Sequence, residues 1–188
     1  MKKQIFACIV LAGLMACNND GKDSVEKADS ANESKQDNNP QTIKTDDATT
    51  DFLVNAANGG MAEVEAGKVG EQKGTDPNVK RFASMMVHDH TAANSEVKSL
   101  SSRRNVTLPT APAEEKKNKL TRVSEKTGNA FDKDFMDMMV DDHQEAIRLF
   151  EKHNDSQDAE VKTFITNTLP KLKMHLDSAQ AIRKGLRN

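Results

Sequence analysis

The chain has 188 residues, of which 30% are charged and only 4% aromatic, with no Trp or Tyr and a formal net charge of −2. Such a length accommodates one domain with a real core, and the scarcity of aromatic and β-branched residues favours helices over sheets. Acidic and basic residues are interleaved, which excludes the one-sided positive field that a nucleic-acid partner requires.

Lys2 and Lys3 precede an apolar run from Ile5 to Ala16 that is too short to persist as a membrane span, the pattern of a signal peptide over residues 1–16. The run ends in Leu14-Met15-Ala16-Cys17, which resembles the lipobox of bacterial lipoproteins, where a signal peptidase cuts before a cysteine that then carries lipid. Cys17 is thus the expected lipidation site. The expected location is the cell envelope, at the outer membrane or the periplasmic face, with the membrane as a partner. Cys8 would leave with the signal, so no disulfide is available. Between residues 17 and 48 the only large aliphatic residues are Val25 and Ile43, so this stretch is read as a disordered linker. As a random coil it would span roughly 30 Å. The folded domain is assigned to residues 49–186.

Within that domain, apolar or small residues at Leu53, Ala57, Gly60, Val64 and Gly67 recur at helical spacing and predict a helix over about 51–73. Gly74-Thr75-Asp76-Pro77 stops it and starts a second, over about 77–104, whose stripe runs Val79, Ala83, Met86, His90, Ala93, Val97 and Leu100. After Pro109 and Pro112 a short polar helix is predicted over about 113–126. The next helix, over about 130–154, carries Met136, Met139, His143, Ala146 and Phe150. The last, over about 157–186, carries Val161, Ile165, Leu172, His175, Ala179 and Ile182, with Pro170 inside it. Met85-Met86-Val87-His88-Asp89-His90 recurs 53 positions later as Met138-Met139-Val140-Asp141-Asp142-His143, each preceded by a phenylalanine, Phe82 or Phe135, the mark of a duplicated helical hairpin. Together these elements predict an all-α four-helix bundle with an extra short helix in its long connection.

His90, His143 and His175 all occupy seam positions, and neutral imidazole suits zinc, copper and iron. Glu63 flanks the seam of the first helix. Straight rods rising about 1.5 Å per residue put Glu63 about 15 Å, His90 and His143 about 20 Å and His175 about 11 Å from the shared end of the bundle. That leaves roughly 5 to 10 Å between levels, against bonds of about 2 Å to one ion. Two readings therefore stay open: a metal site, or a polar layer whose histidines are hydrogen-bonded to Asp89, Asp142 or Thr168 and set the register. Met86 and Met139, one turn before His90 and His143, give the metal reading a copper version, although methionine is an ordinary core filler.

No Glu-x-x-His occurs in the chain, so the di-iron carboxylate pattern is absent. Nor is there a phosphate-binding glycine loop or a serine triad motif, and an enzyme is not expected.

The blocks Asn55 to Glu65, Phe82 to His90, Phe131-Asp132, Met139 to His143, Leu169-Pro170 and His175-Leu176 resemble the bacterial family called domain of unknown function 4142, over Asp51 to about Ile182. The resemblance implies a ferritin-like bundle and an exported, often lipid-anchored protein, with no established activity. The segment from Met139 to Ile147 is also similar to domain of unknown function 305, which includes proteins tied to copper. That family pairs two histidines where this chain has Asp142-His143. Carried over residue by residue, Glu63, His90, His143 and His175 are the candidate metal ligands, and Glu65, Asp89 and Asp142 their supporting partners. The expected function is metal sequestering or carriage in the envelope; the alternative is a tethered interaction or stress-related module without metal.

Overall fold

A computed structural model describes residues 21–38 and 45–186. The expected signal peptide and Cys17 lie outside the described residues. The described residues form six helices in order: α1 Ser24–Asn38, α2 Asp47–Lys73, α3 Pro77–Arg103, α4 Glu114–Ser124, α5 Gly128–Lys152 and α6 Ala159–Gly185. No strand occurs among the described residues, and none of their helices is long and apolar enough to cross a membrane.

Local chemistry accounts for the helix starts. Asp46 accepts from the Thr49 amide at 2.7 Å and so begins α2 four residues earlier than the apolar stripe indicates. Asp76 accepts from the Asn78 amide, with Pro77 in the first turn of α3. Asp158 accepts from the amides of Glu160 and Val161 at the head of α6. Asp132, 1% exposed, accepts from the amides of Thr75 and Asp76, which fastens the α2–α3 turn to the start of α5.

The four long helices form two hairpins, α2 with α3 and α5 with α6. These face one another with α2 beside α5 and α3 beside α6. Glycines in α2 permit close approach: a Cβ on Gly67 would lie 2.9 Å from the Ala83 carbonyl oxygen, and one on Gly70 would lie 2.7 Å from the Phe135 ring. Two apolar clusters fill the bundle. One, at the α2–α3 turn, is built on Phe82, Met86, Phe131, Phe135, Met136 and Met139. The other, toward the opposite end, is built on Phe52, Leu53, Leu100, Phe150, Phe164 and Ile165. Glu63, His90, His143 and His175, all buried, stand between the two clusters along their helices.

Residues 24–38 correct the expected disordered linker, because they form α1 packed on α2 and on the loop after α3. Apolar burial is slight there, with Ala28 2% exposed; polar pairing supplies the rest. The Asn32 amide donates to the Thr107 carbonyl at 2.9 Å, while its oxygen accepts from the Thr107 amide at 2.7 Å. The Ser24 hydroxyl oxygen accepts from the Thr110 and Ala111 amides. Composition alone reads such a segment as disordered, since these partners lie more than seventy residues away in sequence.

Candidate metal centre

The helical seam positions bring three imidazoles from α3, α5 and α6 around one interior point. Ring centroids are 5.7 Å apart for His90 and His143, 5.5 Å for His90 and His175, and 5.4 Å for His143 and His175. One ring nitrogen from each of the three lies within 4.8 Å of the others. The rings therefore share one level, and the separation expected from straight rods disappears. The physical reason is side-chain direction. Every Cα–Cβ bond leans toward its own helix N-terminus, so groups on α3 and α5 move toward the α2–α3 turn while those on α2 and α6 move away from it.

Each ring is held by its other nitrogen. His90 Nδ1 lies 2.9 Å from Glu63 Oε2, an ion pair only about one-twentieth exposed at either partner. His143 Nδ1 lies 2.8 Å from the Met139 carbonyl oxygen and 3.4 Å from Glu63 Oε1. His175 Nε2 lies 3.0 Å from Asp89 Oδ2. A carbonyl only accepts, and an ionised carboxylate only accepts, so these three nitrogens carry the protons. What remains is His90 Nε2, His143 Nε2 and His175 Nδ1, each a buried ring nitrogen that is a lone pair when its ring is neutral and that has no protein hydrogen-bond partner. Buried polar atoms are normally satisfied, and with Glu63 Oε1 these make four orphans on one cluster, which call for a physical cause.

Charge is balanced around the same atoms. Burial pushes the Glu63 carboxyl up, but the charges of His90 and His143 and the His90 hydrogen bond outweigh it and bring the group down to about 2. Burial opposes protonation of His90, yet the Glu63 carboxylate raises it above the ordinary histidine value. Burial and the neighbouring His90 and His143 charges push His175 down to about 4 against the pull of Asp89, so it is neutral at pH 7.

The three expected supporting residues fare differently. Asp89 stands against His175 and also faces His88 Nδ1 at 2.8 Å. Glu65 is exposed, on a face of α2 away from the histidines, because two helical positions turn it about 200° from Glu63. Asp142 is turned away as well: it pairs with Lys116 at 3.2 Å and Lys119 at 3.1 Å and so docks α4 on α5. The Met139 carbonyl, which orients His143, had no signal in the sequence, since every helical histidine has a carbonyl four residues back. Met86 and Met139 themselves are wholly buried in the apolar cluster toward the turn. Thr168 makes no hydrogen bond to a histidine and instead borders a cavity beside Glu63 and His90.

Comparison with curated proteins and with solved structures gives no significant match. Residues 31–182, most of the described chain and all four residues of the buried cluster, match the family described as Domain of unknown function (DUF4142), and the protein belongs to that family.

Proposed function

We propose that the bundle binds one transition-metal ion through His90, His143 and His175, with Glu63 as partner to the first two rings, and that it sequesters or carries that ion rather than catalysing a reaction. The observation that carries this reading is the set of three unpartnered lone pairs from three helices, each on a ring already oriented through its opposite nitrogen. Carboxylate or carbonyl partners behind ligand imidazoles are the usual means of fixing tautomer and ring direction at a metal. Tetrahedral coordination with bonds of about 2.0–2.1 Å needs nitrogens about 3.3 Å apart, so an ion would shorten the separations between the ring nitrogens by up to about 1.5 Å. Three imidazoles beside a carboxylate suit zinc and copper(II), and copper(II) binds tightest among divalent ions at such donors. The expected signal peptide and acylated Cys17 would place this site in the envelope.

Titration of the metal-free protein with zinc, copper(II) and iron(II) tests the proposal. One equivalent should bind, and the His90→Ala/His143→Ala double variant should lose it while keeping its helical circular dichroism. Absence of stoichiometric uptake, together with no metal by elemental analysis of the native protein, would overturn the proposal and favour a tethered interaction module.

A further inference from the structure

Glu63, His90 and the carboxylates of Asp142 and Glu145 border one cavity of about 310 Å³. The three carboxylates are graded in depth: the side chains of Glu145, Asp142 and Glu63 are 60%, 12% and 5% exposed. At the buried end, Glu63 Oε1 and His90 Nε2 have no hydrogen-bond partner. Asp142 and Glu145 are occupied, because the Lys116 ammonium sits between them, 3.2 Å from Asp142 Oδ1 and 2.5 Å from Glu145 Oε2. Arg148 also borders the cavity, exposed and without an ion pair or hydrogen bond among the described residues.

Other approaches to the histidines are obstructed. Toward the α2–α3 turn the cluster is closed by Phe82, Met86 and Met139, which are 2%, 0% and 0% exposed. Beside His175, both oxygens of Asp89 are engaged, one by His88 and the other by His175 itself. An ion entering there would have to break the bond that orients a ligand ring.

We infer that the ion reaches the three imidazoles through this cavity, by way of Glu145, Asp142 and then Glu63, and that Lys116 and Arg148 set the rate of its passage. The inference rests on the metal reading given above. A divalent cation loses water as it leaves bulk solvent, and an unpaired charge beside apolar walls is costly. Carboxylate oxygens at successive depths replace the lost water and compensate the charge at each step. The Lys116 ammonium holds the same oxygens and has the same sign, so an arriving cation must displace it. Its four-carbon stem is flexible and lets the head swing aside without backbone movement. The empty volume beside His90 gives that ring room to turn its buried Nε2 toward the ion, room that the close-packed side of the cluster lacks.

Stopped-flow mixing of the metal-free full chain with cobalt(II), followed by the visible absorption of the bound ion, tests the route, and release to an added chelator gives the reverse rate. Arg148→Gln should speed uptake about threefold and Lys116→Met about tenfold, while Asp142→Asn and Glu145→Gln should slow it by similar factors, all differences shrinking as salt is added. Lys116→Met and Asp142→Asn both loosen α4 from α5, so loosening alone would speed uptake in both; opposite signs identify the field along the cavity. Gly59 borders the cavity, and a Cβ placed on it meets nothing within 4 Å, so Gly59→Leu narrows the passage without displacing backbone. It should slow uptake and release by the same factor at unchanged affinity. Rates unchanged in Gly59→Leu, or shifts of one sign in Lys116→Met and Asp142→Asn, would overturn the route while leaving the bound ion in place. Slower uptake in His88→Ala with none in Gly59→Leu would move entry to the Asp89 side and overturn it equally. Failure to bind cobalt at all would overturn both readings.

Discussion

The two flanks of the histidine layer differ in how completely they are filled. Toward the α2–α3 turn, Phe131, Phe135, Met136 and Met139 are each 0% exposed and leave the rings a dry, close-packed floor. Toward the other end, apolar residues of comparable number pack around a cavity that Gly59, Asn94 and Thr168 also border. One half is filled, and the other holds a cavity that reaches Glu63 and His90. The proposed ion site would use both properties, and one bundle supplies them by varying side-chain volume along the same four helices.

The largest contrast should come from truncating one residue in each half. Phe135→Ala is expected to lower unfolding stability by about 3–5 kcal/mol, since it opens a void in a filled core. Leu149→Ala, beside space that already exists, should cost about 1 kcal/mol or less. Equal losses in denaturant titrations would contradict the difference in packing. Next in size, Glu63→Gln should weaken metal binding by about 10- to 100-fold, the usual cost of losing the carboxylate behind a ligand imidazole. Calorimetry on the variant reads this directly, and unchanged affinity would remove Glu63 from the site.

The glycines of α2 sharpen the comparison further. Gly70→Ala would press a methyl group to 2.7 Å from the Phe135 ring and should destabilise by about 1–3 kcal/mol. Gly59→Ala meets nothing and should stabilise by about 0.5–1 kcal/mol through helix propensity. Thermal or chemical unfolding of the two variants should therefore move in opposite directions.

A further expected effect is on pH dependence. His175 is pushed from the ordinary 6.5 down to about 4 in the folded chain, so its contribution to stability is present above pH 6.5 and lost as pH falls to about 4. Glu63, lowered from 4.5 to about 2, adds a second loss as pH falls from 4.5 toward 2. His90 is raised, so its contribution is complete below 6.5 and lost only as pH rises through its folded value. The melting temperature of the metal-free chain should accordingly drop between pH 6.5 and 4. The metal-loaded chain should drop more steeply, as protons compete for the ligands. A flat profile across that window would show that His175 is not held neutral.

Much of the architecture was legible in the residues. The alternating spacing of Val79, Ala83, Met86 and His90, and its repeat at Met136, Met139 and His143, places each histidine on a buried stripe, because a helix returns to the same face every three or four positions. Glu65 and Asp142 show where such reading stops. Both were carried over from the family resemblance, yet neighbouring positions on a helix point in different directions, and one is exposed while the other is spent on Lys116 and Lys119. Asp89 is equally close to His90 but meets His175 on another helix.

By itself the sequence determined the five helices after α1, their order and which face of each is buried, since these follow from local periodicity, capping and breaker residues. The tertiary structure decided the docking of α1 through Asn32 and Ser24, the common level of Glu63 and the three imidazoles, which nitrogen of each ring is left without a partner, and the cavity beside Glu63 and His90. All four depend on distances between residues far apart along the chain, set by the lean of side chains and the meeting of helices, and no local pattern encodes them.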